Sequence, residues 1–238
     1  MGVVVMQTPH YWYVLAVAAV VLVSLMSGMY LVLLWKRQPH RLFSDLPLVF
    51  GVTFVAQAIN SAVRLLPILG LFPMSLFLFK IRAIIILGSL LPVVAMLLHI
   101  WLPSIKRHHG RIVIGVALYW VAVVALAPDE PTVLSLCVPL LLVADVPLIA
   151  TFVVTWRTHR LKEVRSDLMI LSLLIGSIGQ VAATNVMVNS LSTMVGTVLA
   201  ALALINPWHE DSRVSTRVES AGEIATSSLV CWECAHDG

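Results

Sequence analysis

Thr132 to Trp156 is an apolar run broken by one acid, Asp145. About 20 apolar residues in a helix cross the roughly 30 Å hydrocarbon layer of a bilayer, so Asp145 falls near the midplane of a membrane span. An ionised acid at that depth costs about 2.5–3.5 kcal/mol on insertion scales, and the expectation is that it faces the bundle interior, paired, protonated or hydrated. Pro147 follows two residues on and removes a helix hydrogen bond, which frees the carbonyl of Val143 beside the acid. Gln57, Asn60, Gln180 and Asn185 lie in other apolar runs, Gln57 and Gln180 at similar depth. Together they predict a polar layer. It would either hold a ligand or proton, or act as interhelical glue at about 0.6 kcal/mol for each hydrogen bond.

A second group is cationic. Arg64, Lys80 and Arg82 border the second and third apolar runs. They can snorkel to lipid headgroups or build an anion site. His108 and His109 adjoin Lys106 and Arg107 and read as an interfacial patch for anionic headgroups. A third group is the Cys231-Trp232-Glu233-Cys234 segment followed by His236, which has the spacing of half a zinc site. A closed site needs four ligands and this segment offers three, so a free thiol pair is the simpler expectation, with a zinc site shared with another chain as the alternative. Cys137 reads as an apolar space-filler.

Other chemistries fail on their motifs. The chain has neither HExxH nor GxSG, and one intramembrane acid cannot make a paired-aspartate protease. A retinal protein needs a lysine in its last span, and residues 191–208 contain none. A transmembrane haem needs a histidine at matching depth to His99, and the others lie in loops or tails. No cofactor is expected, and a lipid-processing enzyme lacks a visible catalytic pair.

The elements that carry these residues follow from composition. Of 238 residues, 60% are hydrophobic and 11% charged, with a mean hydropathy of +0.98. Soluble domains run at about 25% charged, so a soluble enzyme, a disordered chain and a disulfide-stapled module are excluded. Uncharged runs predict helices at about 11–35, 46–66, 83–105, 112–128 and 132–156. The first is not read as a signal peptide, because no Lys or Arg precedes residue 36. Residues 168–208 carry no charge and are twice as long as one span requires. A turn at Asn189-Ser190 divides them into spans 168–188 and 191–208.

The expected fold is therefore all-α, a polytopic bundle of seven transmembrane helices, with residues 209–238 a flexible tail. Lys and Arg cluster after spans one, three and five and are missing after spans four and six. Basic loops stay cytoplasmic, which places the N-terminus outside and the tail inside. The net charge of +3 hides this asymmetry and is not read as nucleic-acid binding. The expected partners are the lipid bilayer and a cytoplasmic protein or membrane complex.

The topology resembles seven-helix sensor modules attached to histidine kinases, which implies a non-enzymatic sensor or accessory role. It also resembles small sugar transporters of the SWEET and PQ-loop type, but their proline symmetry is broken here: span five has Pro139 and Pro147 while span one has none. That resemblance implies the alternative, a small-solute or proton-coupled transporter working through the Asp145 layer. Ser44-Asp45-Leu46-Pro47-Leu48-Val49-Phe50-Gly51 is similar to the entry of span two in uncharacterised archaeal multispanning proteins, a match of eight residues that carries no known activity.

Overall fold

A computed structural model describes residues 9–38, 45–158, 164–181 and 185–206, all of it helices and their connections. The helices are α1 (Pro9–Arg37), α2 (Leu46–Ile68), α3 (Leu76–Trp101), α4 (His109–Leu126), α5 (Glu130–Thr158), α6 (Ser166–Val181) and α7 (Val186–Ile205). Six of the seven are long and apolar enough to cross a membrane. The exception is α6, at 16 residues, which spans about 24 Å at 1.5 Å per residue. The chain is thus a multi-pass membrane protein.

Packing pairs run α1–α2, α2–α3, α3–α5, α5–α6, α6–α7 and α7–α1, which closes a ring. Helix α4 sits outside it, against α3 and α5. Only Trp120 and Val124 of α4 are buried. The Trp120 indole N–H donates to the Ala83 carbonyl of α3 at 2.9 Å, so one aromatic side chain supplies both the apolar contact and a hydrogen bond. Phe50 and Phe54 of α2, Met96 of α3 and Phe152 of α5 are buried in the core, and the Phe50 and Phe152 rings lie 6.2 Å apart. The buried polar residues are hydroxyl side chains and Asn206.

Lipid is as apolar as leucine, so helices in a membrane associate through close packing and interhelical hydrogen bonds. Two crossings show this. On α1, Gly28 lies against α2 so closely that a Cβ there would meet the Gly51 carbonyl oxygen, the Val55 nitrogen and Val55 Cγ2, each at 2.9 Å. Between α6 and α7, the Ser172 hydroxyl donates to the Gly196 carbonyl at 2.7 Å. A Cβ on Gly179 would meet Ser192 Cβ at 2.7 Å.

Several boundaries depart from the sequence expectation. Helix α3 begins at Leu76, capped by the Ser75 hydroxyl accepting from the Leu78 N–H at 3.3 Å, so Lys80 and Arg82 stand inside its first turns. The turn between α6 and α7 is not at Asn189-Ser190, which lie within α7; α6 runs to Val181 and α7 starts at Val186. Asn185 caps α7, its side-chain oxygen accepting from the N–H groups of Met187 and Val188 at 3.1 and 3.3 Å. Helix α7 ends at Asn206, which adopts a left-handed φ of 40°, a common helix terminator. The expected tail, 209–238, lies outside the described residues.

Candidate functional site

Thr53, Gln57, Asn60 and Arg64 follow one another on α2 at intervals of four, three and four, which aligns them on one helical face. That face meets α3. The Thr53 hydroxyl donates to the Val49 carbonyl at 2.9 Å and reaches the Ser89 carbonyl of α3 at 3.4 Å. Two turns along α2, the Arg82 Nε–H of α3 donates to Asn60 Oδ1 at 3.1 Å. The helices run antiparallel, so each contact on α2 towards Arg64 is matched by one on α3 towards its N-terminus.

Arg64 follows Asn60 by one turn on the same face of α2, which sets it beside the Asn60–Arg82 contact. Neither guanidinium is in an ion pair among the described residues, where the one such pair is Arg165–Asp167 at 2.7 Å. Arg64 and Arg82 are half-buried. Two cations on facing helices, one oriented by an amide oxygen that leaves its other N–H groups free, form a fork suited to a carboxylate or phosphate group.

Lys80 does not join them. Its ammonium donates to the Ala125 carbonyl at 3.1 Å, one of the last four carbonyls of α4, which lack helical partners. It is a cap for α4 rather than part of an anion site. At the opposite end of α3, the His109 imidazole Nε2 is 2.9 Å from the Leu102 carbonyl, which closes the link between α3 and α4. His108 is exposed beside the exposed Lys106, Arg107 and Arg111, a placement compatible with headgroup contact.

The predicted polar layer around Asp145 is not assembled. Asp145 is on the exposed side of α5, whereas the buried side carries Val133, Cys137, Ala144, Leu148, Thr151 and Phe152. Expecting an intramembrane acid to face inward fails because that inner face is filled by apolar side chains and by Thr151, which accepts from the Trp101 indole at 2.8 Å. Asn60 is committed to Arg82, and Asn185 to capping α7. Gln57 lies half-buried between Thr53 and Asn60. The Gln180 side chain, Cys231, Cys234 and His236 lie outside the described residues. No group of three metal-ligating side chains occurs among the described residues.

The Asn60–Arg82 contact had a usable signal in the sequence, the regular polar spacing on α2. Comparison with protein-family models, curated proteins and solved structures finds no match.

Proposed function

We propose that the chain is a non-enzymatic membrane sensor or accessory module that recognises an anionic group at the α2–α3 end of the bundle. The basic loops after α1, α3 and α5 put that end outside and leave the cytoplasmic loops and tail for a protein partner. The observation that carries this reading is the Arg64–Arg82 pair, with Arg82 held by Asn60 at 3.1 Å and no ion pair to either arginine among the described residues. Half-buried guanidinium groups are screened less by salt than exposed ones, so the site gains more from an anionic ligand than isolated surface arginines would. The transporter reading works through the layer of Asp145, Gln57, Asn60, Gln180 and Asn185, and no hydrogen bond among the described residues joins Asp145 to Gln57, Asn60 or Asn185.

The test is thermal unfolding in phosphatidylcholine nanodiscs, titrated with inorganic phosphate and separately with phosphatidylglycerol. A ligand that binds only the folded state at a hundredfold excess over its Kd stabilises by about 2.7 kcal/mol. One of the two additions should raise the midpoint, and Arg64→Gln and Arg82→Gln should each abolish the rise. A midpoint indifferent to both, or a rise that survives in both variants, would refute the site.

A further inference from the structure

Asp145 is the one charged side chain of α5 that lies between its ends, and it is exposed. Fifteen residues separate it from Glu130 and thirteen from Thr158, so both ends of α5 are about 20 Å away along the axis. Its neighbours on the same side are Leu142, Val143 and Val146, of which Val143 is 69% and Val146 64% exposed. Lipid covers such valines and leucines at no cost. It cannot satisfy a carboxyl group, which in hydrocarbon loses every hydrogen bond that water gave it.

No described residue supplies the missing partner. Asp145 makes no hydrogen bond or ion pair with another described residue, and every Lys and Arg of the described helices stands near a helix end. The group is thus open to a partner from outside the described bundle. A second copy of this chain satisfies it with no further ingredient. Two copies inserted the same way round are related by a two-fold axis along the membrane normal, which brings each residue opposite its own counterpart at the same depth. A neutral carboxyl carries one donor and one acceptor face, so two of them across such an axis exchange two O–H···O hydrogen bonds and leave nothing unsatisfied. A foreign helix bearing Lys or Arg would instead bring a second charge to the same depth.

We propose that the exposed side of α5 around Asp145 is a homodimer interface, in which the two Asp145 side chains pair across a two-fold axis. This does not depend on the anion site, which lies on α2 and α3.

The full chain in lipid vesicles, with Cys231→Ser and Cys234→Ser, provides the test. Single-molecule photobleaching over a range of protein-to-lipid ratios should show dimers. Asp145→Asn should dimerise comparably, because a carboxamide pair is also self-complementary. Asp145→Leu should weaken association about tenfold, the scale set by two lost interhelical hydrogen bonds. Oxidation should cross-link Val146→Cys but not Val195→Cys on the exposed side of α7, a comparison that stands even if the leucine variant fails to fold. A monomer at every ratio, with or without a co-purifying foreign helix, would overturn the proposal. So would a leucine variant that dimerises like the wild type, or equal cross-linking at positions 146 and 195.

Discussion

Substituting Gly28 by alanine should loosen the α1–α2 crossing more than any other single methyl group added to a described glycine of α1, α2 or α3. The added Cβ would lie 2.9 Å from the Gly51 oxygen, the Val55 nitrogen and Val55 Cγ2. Two of those atoms are backbone and cannot rotate away, so the helices must move apart by about 0.5–1 Å to restore ordinary contact. A radial gap of that size forfeits a quarter to a half of each dispersion contact along the seam. Overpacking of this kind costs about 1–3 kcal/mol, and because α1 also closes the ring onto α7, a value near 2 is expected, about a thirtyfold shift in the folding equilibrium. Gly51→Ala should cost less, since its nearest atom is a side-chain methyl, Val32 Cγ2 at 2.9 Å, with the Gly28 oxygen at 3.1 Å. Gly88→Ala on α3 meets nothing within 4 Å and should be neutral, or gain up to about 1 kcal/mol from helix propensity. Equilibrium unfolding of the three variants in mixed micelles checks the order. A Gly28→Ala protein as stable as Gly88→Ala would refute the close crossing.

Trp120→Phe should cost about 1 kcal/mol for the lost bond to the Ala83 carbonyl, and hydrogen exchange should rise along α4 while α6 and α7 stay unchanged. The Asp129 carboxylate accepts from the Thr132 N–H at 2.9 Å, and hydrogen bonds from Thr132 hold its pKa below the ordinary aspartate value. Its contribution is therefore complete above the ordinary aspartate range and is lost as pH falls through the lowered folded value. Exchange protection in the first turn of α5 should follow that course, and Asp129→Ala should remove it at every pH.

The number of helices and their rough positions were legible because charges interrupt the first five apolar runs, and the uncharged run 168–208 is too long for one span. The start of α3 was not, because Lys80 and Arg82 look like loop residues although their long side chains let the helix continue past them. The α6–α7 turn was misplaced because Asn185 and Asn189 are the same residue type. Their roles separate only in three dimensions, where one caps α7 and the other accepts from the Thr193 hydroxyl at 3.2 Å. The outward direction of Asp145 was hidden for a deeper reason. In a soluble helix the polar side marks the surface, but around α5 both lipid and core are apolar, so hydrophobic periodicity carries no direction.

The proposed recognition role depends on which side of the membrane carries the Arg64–Arg82 pair. The direct measurement places a single cysteine at Leu71, in the α2–α3 turn at the same end as that pair, or at Ser104, between α3 and α4 at the other end, after replacing the native cysteines. Intact cells are then treated with a membrane-impermeant maleimide. Labelling at position 71 and protection at 104 is the predicted result; labelling at 104 with protection at 71 would turn the bundle over and place the arginine pair inside.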